Sequence, residues 1–220
     1  MTQPILHHVP GARSFRVLWL LQEMGITPEI VEWRIQDGSM RSPEFLAKSP
    51  AGRIPALEID GTVIYESGAI TEYLCETRPE HGLGRMPGDP ERIPFLEMMH
   101  YAETIGHLIA GLNLQWIFLR NPEDRSDTVV KIEARRLAAT LAPIEEALSK
   151  NDHILASGFS AADTMLGFTL TAAGRYVRLE NFPHIQAYNA RMAERPAHKL
   201  ACELDGERNF PGKEFYEVEA

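Results

Sequence analysis

Cysteine is nearly missing from this chain. Only Cys75 and Cys202 occur among 220 residues, far apart and in no Cys-x-x-Cys pair. That excludes a thiolate-built zinc site, a dithiol redox motif and a disulfide framework. Basic charge is also short: 22 Lys and Arg stand against 31 Asp and Glu, a net charge of −9. Nucleic acid wants a basic face, so no nucleic-acid partner is expected. No apolar run approaches the roughly 18 residues of a membrane helix, so no membrane span is expected. Met1-Thr2-Gln3-Pro4 does not open a basic-then-apolar leader, and the expectation is a cytoplasmic protein. Internal repeats and low-complexity tracts are lacking too. What remains is the ordinary balance of a globular protein, 44% apolar and 24% charged. The length suits one large or two small domains.

Residues 1–80 alternate strand-like and helix-like stretches. Gln3–His8 reads as a strand, Pro10-Gly11 as a turn, and Ser14 as the cap of a helix. That helix carries Phe15, Val17, Leu18, Trp19, Leu20, Leu21 and Met24, apolar on nearly every side, so it should be buried. Gly25 stands where a helix-ending glycine belongs. Pro28–Trp33 reads as a second strand, which makes a right-handed βαβ unit. Leu57 and Ile59 alternate with Glu58, Thr62–Tyr65 is strand-like, and Asp60-Gly61 between them predicts a hairpin. Ser67 then opens a helix with Ile70, Tyr73 and Leu74 on one face. The order predicts a thioredoxin-type mixed sheet, its last two strands antiparallel. Residues 81–90 read as a linker, because Pro79, Gly82, Gly84, Pro87, Gly88 and Pro90 crowd there.

Beyond the linker the pattern is helical. Arg92–Leu119 predicts one long helix with Phe95, Met98, Met99, Ala102, Ile105 and Ile109 near a common stripe. Ser126–Leu148 repeats Leu137, Leu141, Ile144 and Leu148 at helical spacing, with a kink or a restart expected at Pro143. Ser160–Val177 and Pro183–Glu194 follow. The expected fold is therefore an α/β thioredoxin-like domain over residues 1–80 and an all-α helical domain over residues 91–220.

Three motifs carry chemistry. Ile54-Pro55 precedes a strand; a cis bond there would turn the Ile54 backbone outward to pair with another peptide. The same pattern is also an ordinary turn before an edge strand. Glu66-Ser67 opens a helix, where backbone N–H groups stabilise a carboxylate and Glu66 can pair with an ammonium. It is also a plain cap. Gly11-Ala12-Arg13-Ser14 places a hydroxyl and a cation at a positive dipole end, fit to hold a thiolate, and again reads equally as a cap. Ser160 and Asp163 have capping-box spacing and belong to folding.

The order of these motifs resembles the glutathione transferase superfamily, of a bacterial-like cytosolic type, over essentially the whole chain. The resemblance rests on Pro10 to Leu21, on Gly52-Arg53-Ile54-Pro55-Ala56-Leu57, on Glu66-Ser67-Gly68-Ala69-Ile70, on the Ser160–Asp163 box and on Ala187 to Met192. It implies that the first domain binds glutathione as co-substrate, without a metal. The second would hold a small, apolar electrophile. By resemblance Ile54, with Pro55 cis, binds the cysteinyl backbone. Glu66 and Ser67 hold the γ-glutamyl head, and Arg53 makes a further polar contact. The family's activating Tyr, Ser or Cys is not cleanly present. His8 falls at the tyrosine position, Gly11 at the serine position and Arg13 at the cysteine position, according to the alignment chosen. Ser14 is the first choice, Arg13 the second and His8 the third. Arg16 is either a field-making cation or a structural partner.

A thiol near pKa 8.5 is about 3% ionised at pH 7, so full ionisation gains roughly 30-fold. Tyr101, His107, Asn113 and Trp116 are candidates to line the electrophile pocket. The resemblance also implies a two-fold homodimer, with Glu103 reaching toward the partner's γ-glutamyl site. Alternatives are glutathione-dependent peroxide or disulfide reduction, isomerisation or dehalogenation. Of another class are a non-catalytic binding module and a ligand-storage protein. Cys75, on an inward helix face, reads as structural.

Overall fold

The structure, a computed structural model, describes residues 3–217. Met1 and Thr2, on which the expectation about a leader falls, and the last three residues of the expected helical domain lie outside that range. The chain forms two compact units: Met1–Pro87 with Ala193–Phe210, and Gly88–Met192 with Pro211–Ala220. No helix among the described residues is long and apolar enough to cross a membrane.

The first unit is built on β1 (Ile5–His8), α1 (Ser14–Glu23), β2 (Glu29–Glu32), α2 (Pro43–Leu46), β3 (Ala56–Ile59), β4 (Thr62–Tyr65) and α3 (Ser67–Thr77). The sheet order is β2-β1-β3-β4, with β1 and β2 parallel and the other pairs antiparallel. This is the thioredoxin-like arrangement. Every residue of α1 from Ser14 to Gln22 is buried, as its all-round apolar surface requires. Gly25 stands in the left-handed region at φ 68° just past the helix, where a side chain would be strained. At the hairpin, Asp60 and Gly61 take φ 52° and 78°, the two positive values of a tight turn that follows the strand twist.

A polar chain ties three strands together. The indole N–H of Trp33 can only donate, and it donates to His7 Nδ1 at 3.0 Å. The His7 proton is therefore on Nε2, which lies 2.9 Å from Glu58 Oε1. Lys48, at 2.8 Å, and His7 together hold the Glu58 carboxyl below the usual carboxylate range.

Two features of this unit go beyond the sequence reading. The breaker-rich stretch is packed. Leu83 and Arg85 are buried, and the Arg85 guanidinium donates to the carbonyls of Gly82 and Gly84. A side chain at Gly84 would bring its Cβ within 2.7 Å of the Cys75 Cβ, so that stretch lies tight on α3. Cys75 is buried there, as expected. The second feature is a helix after Glu194. This helix, Pro196–Asp205, is α8 in chain order and packs on α1 within the first unit. Arg195 grips Glu23 with two bonds of 2.7 and 2.8 Å, and the His198 ring stands edge-on to Trp19 at 4.7 Å. Only Ala201 of this helix is buried.

The second unit holds α4 (Arg92–Asn113), α5 (Asp127–Leu148), α6 (Ala161–Ala173) and α7 (Pro183–Ala193, whose last residue groups with the first unit). The expected long helix stops at Asn113 and continues as a wide π turn over Leu114–Phe118. Pro143 neither breaks nor restarts α5, which runs through it. Leu137 and Leu141 before the proline and Ile144 and Leu148 after it are all buried. That burial offsets the missing hydrogen bond. The Ser160 box forms: the buried Asp163 carboxylate accepts N–H bonds from Ser160 at 2.8 Å and Ile154 at 3.0 Å, and the Tyr188 hydroxyl at 3.0 Å. Burial pushes its carboxyl pKa up despite these donors.

Candidate active site

The register brings three loops to one end of the sheet. His7 lies opposite Ala56, and Ala56 lies opposite Tyr65. The residues that follow β1, precede β3 and follow β4 are therefore neighbours: Val9 to Arg13, Arg53 to Pro55, and Glu66 to Ser67. The three motifs that the sequence keeps far apart meet here.

The Ile54–Pro55 bond is cis. Ile54 is partly buried and packs with Ala12 against the core cluster of Val9, Trp33 and Phe45. Pro55 is buried, whereas Arg53 is exposed and its backbone N–H donates to Ser49 Oγ at 3.3 Å.

At the third loop the sequence reading is corrected by one position. Glu66, not Ser67, is the N-cap of α3, and Ser67 is its first helical residue. Glu66 takes φ 70°, a value that costs a non-glycine residue free energy and turns its exposed side chain away from the strand. No side chain caps this helix. The first backbone bond into the turn is Ile70 N–H to Glu66 O at 2.9 Å. The N–H groups of Ser67, Gly68 and Ala69 therefore stand ahead of the ladder, where an anion is stabilised. A Cβ placed at Gly68 would meet nothing within 4 Å. Ser67 is buried, and its hydroxyl accepts from the fully buried Arg16 guanidinium at 3.1 Å. Arg16 is thus the structural link between α1 and α3, the second of the two roles open to it.

The first loop also differs from expectation. Arg13, half-buried, is the N-cap of α1 and makes no side-chain cap bond. Ser14 is fully buried inside the first turn. Its hydroxyl accepts the Val9 N–H at 3.2 Å and lies 3.3 Å from the Val9 carbonyl. These bonds tie the start of α1 to the loop at Val9. His8 is buried, with Nε2 within 3.2 Å of both the Asp205 carboxylate and the Asp205 carbonyl.

Sequence reasoning missed that residues at and after the end of α8 reach this place. The Gly11 N–H donates to the Asp205 carboxylate at 3.0 and 3.2 Å, and Phe210 packs on the same cluster as Ala12 and Ile54. Nothing local marks these residues, because their partners stand near the opposite end of the chain.

In the second unit, α4 and α5 border an open cavity of about 600 Å³ lined by His100, Glu103, His107, Arg136 and Thr140 among others. Of the four residues expected to line an electrophile pocket, His107 opens into it. Tyr101 instead donates to the Thr140 carbonyl at 2.9 Å, and burial raises its phenol pKa. Asn113 accepts the Tyr176 hydroxyl at 2.5 Å. Trp116 lies under the Arg125 guanidinium at 3.9 Å and beside Tyr216 at 5.1 Å.

Comparison with known proteins gives a consistent answer. The family model described as the N-terminal domain of glutathione S-transferase matches residues 2–76, and that of the C-terminal domain matches residues 109–196. Glutathione S-transferase 3 of Schizosaccharomyces pombe is 28% identical over 214 residues, covering 90% of this chain and 86% of that protein. A glutathione S-transferase of Arabidopsis thaliana is 32% identical over 200 residues, covering 86% and 91%. Among solved structures, a glutathione transferase from Methylococcus capsulatus aligns with a TM-score of 0.81 at 28% identity, over 92% of this chain and 98% of the other. A sphingomonad glutathione S-transferase, solved in complex with glutathione, aligns with a TM-score of 0.80 at 25% identity, over 91% and 98%. With both domain models matched over well more than half of its length, the chain belongs to the glutathione S-transferase family.

Proposed function

We propose that the protein binds glutathione at the converging loops of its first unit and transfers the glutathione sulfur to a small, apolar electrophile. The observation that carries this reading is the uncapped start of α3 beside the cis Ile54–Pro55 edge. An α-amino acid head carries both charges, and the site offers a match for each. The Ser67, Gly68 and Ala69 N–H groups take the carboxylate, and the Glu66 side chain takes the ammonium. The Ile54 backbone pairs with the cysteinyl peptide, as a short added strand. Arg53, exposed beside it, is free to reach the rest of the tripeptide. This lays the sulfur toward the start of α1, where the helix dipole and Arg13 favour the thiolate. Ser14 acts indirectly, by holding the loop through Val9.

The reaction is then a displacement or an addition: a carbon–sulfur bond forms, and the leaving group or the electron-poor carbon framework takes the electron pair. Holding the electrophile beside sulfur supplies the remaining acceleration. Such chemistry suits a detoxifying role. We place the protein in the cytoplasm, where free cysteines persist, and as a homodimer. The exposed Val63 and Tyr65 on the outer strand β4 suit a second copy. Disulfide exchange through a thiol in the loop before α1 is disfavoured, since that loop has Arg13 and no cysteine.

Calorimetry with glutathione tests the binding half. Wild type should bind, and Glu66→Gln should bind at least about tenfold more weakly, the loss of one charge-assisted contact. Wild-type affinity in Glu66→Gln would remove the head-group assignment. Turnover on a panel of electrophiles, peroxides and mixed disulfides tests the other half. Reduction without conjugation would replace transfer by a reductive reaction.

A further inference from the structure

We propose that Arg208 supplies the cation that holds the reacting sulfur as thiolate, carried across Gly11 by the segment that follows α8. The inference rests on the glutathione site proposed above and adds to it a residue from the far end of the chain.

The first ground is position. Gly11 has φ 73° and no side chain. A Cβ built there would lie 2.9 Å from Arg208 Nε and 3.5 Å from a terminal guanidinium nitrogen. The Arg208 side chain therefore fills the volume that a side chain at position 11 would occupy, just ahead of the start of α1. Any residue larger than glycine would push it out.

The second ground is that the segment is pinned on both sides of Arg208. Before it, the Asp205 carboxylate accepts the Gly11 N–H at 3.0 and 3.2 Å and lies 3.2 Å from His8 Nε2. After it, Asn209 Nδ2 donates to the Trp33 carbonyl at 3.1 Å and to Glu32 Oε1 at 3.0 Å. Phe210 is packed with Ala12 and Ile54 on the Val9 cluster. These contacts hold the guanidinium over the loop instead of leaving it to wander in solvent. They also lay the chain against Ile54, where the cysteinyl backbone is proposed to run.

The third ground is charge. Arg208 is partly buried, and its cation lies 5.0 Å from the Phe210 ring. Among the described residues no carboxylate forms an ion pair with it, and the Asp205 carboxylate is engaged by Gly11 and His8. A guanidinium stays charged at every working pH, and its planar fork of donors suits a soft anion. Ser14 cannot do this work, because its hydroxyl is committed to Val9. Once the carbon–sulfur bond forms, the sulfur is a neutral thioether. The attraction to Arg208 is then gone, which favours product release over substrate retention.

Titration of bound glutathione, read from thiolate ultraviolet absorbance, tests the proposal on wild type, Arg208→Ala and Arg208→Lys. S-methylglutathione, which has no proton to lose, is bound calorimetrically in parallel. Arg208→Ala should raise the pH of thiol ionisation by roughly one to three units, the shift a neighbouring guanidinium produces. Arg208→Lys should recover part of it, and S-methylglutathione affinity should stay within about twofold. An unchanged titration in Arg208→Ala overturns the proposal while leaving the glutathione site intact. So does an equal loss of S-methylglutathione affinity, which would make Arg208 a binding or structural residue. Failure of wild type to bind either peptide would instead sink the site reading, and the role of Arg208 with it.

Discussion

Replacing Ser14 by alanine separates two accounts of the loop before α1. The hydroxyl is fully buried and accepts the N–H of Val9, itself fully buried, at 3.2 Å. Alanine leaves that N–H without its acceptor in a place water does not reach. The cost of such an orphan is about 1–3 kcal/mol. The Val9 carbonyl suffers less, because it also accepts the Ala12 N–H at 3.1 Å. For a chain of this length each kcal/mol lowers the melting temperature by about 2–4 °C, so a fall of roughly 2–12 °C is expected. Turnover per folded molecule, measured well below the transition, should stay within about threefold of wild type, since less than about 0.7 kcal/mol of the barrier is at stake. The opposite pattern follows if the hydroxyl donates to sulfur: turnover would drop by about one to two orders of magnitude with the melting temperature nearly fixed. Thermal unfolding followed by far-ultraviolet dichroism, with initial rates on the same samples, distinguishes them. A stable variant with a rate lower by about tenfold would refute the structural role given to Ser14.

Three further perturbations read other links. Ser67→Ala removes the acceptor of the buried Arg16 guanidinium at 3.1 Å, so it should destabilise the protein by about 1–3 kcal/mol in urea unfolding. Glu66→Gln, at an exposed position, should leave the urea midpoint unchanged, and the reverse order would contradict the assignment. Ser160→Ala should cost about 1 kcal/mol through the lost cap of α6, with glutathione affinity unaffected; a neutral variant would show the capping box to be ornamental. Burial between Phe15 and Trp19 pushes the His198 pKa below its ordinary value, and the Glu23 charge opposes only part of this. A folded pKa below the unfolded one gives stability that is present above about pH 6.5 and lost as pH falls through the folded pKa. Urea midpoints should therefore decline below that pH, and His198→Phe should flatten the decline; equal slopes in both proteins would exclude His198 as the source.

How far the sequence could be read depended on whether a signal was local. The βαβ unit, the Asp60-Gly61 hairpin, the buried α1 and the Ser160 box all depend on residues within a few positions of one another, and all were legible. Helix boundaries were less so, because the end of α4 at Asn113 is a π turn with no residue that announces it. Pro143 shows why a local rule can lose: buried leucines and isoleucine on both sides of it outweigh one missing hydrogen bond. At the candidate site, Ile54, Pro55, Glu66 and Ser67 were legible as motifs, and β3 pairing with β4 makes them one place. The contacts of Ser14 with Val9 could not be foreseen, for a physical reason. A serine at a helix start looks the same in sequence whether its hydroxyl faces a ligand or its own loop.

The least legible feature is also the one with most consequence for chemistry. Only Ala201 of α8 is buried, and Arg195 and His198, polar residues, fasten the helix to Glu23 and Trp19 on α1. Once α8 is fastened there, the next turn of chain has little choice. Asp205 meets Gly11, Asn209 meets Trp33, and Arg208 is left between them with its cation over the loop. The glycine that the first strand ends toward is thus explained from the other end of the molecule. Its φ of 73° favours glycine, and a side chain there would also displace the guanidinium that fills the space. The lowered His198 pKa makes a coupling testable: acid protonation of His198 should weaken the docking of α8, and with it the hold on the segment carrying Arg208. On the proposed role of Arg208, the pH at which the sulfur loses its cation should then depend partly on the His198 ring. His198→Phe should therefore preserve the Arg208-dependent thiol titration at mildly acidic pH, where wild type begins to lose it. Thiolate absorbance of the two proteins across that range would expose any difference, and identical curves would show that α8 and the sulfur site titrate independently.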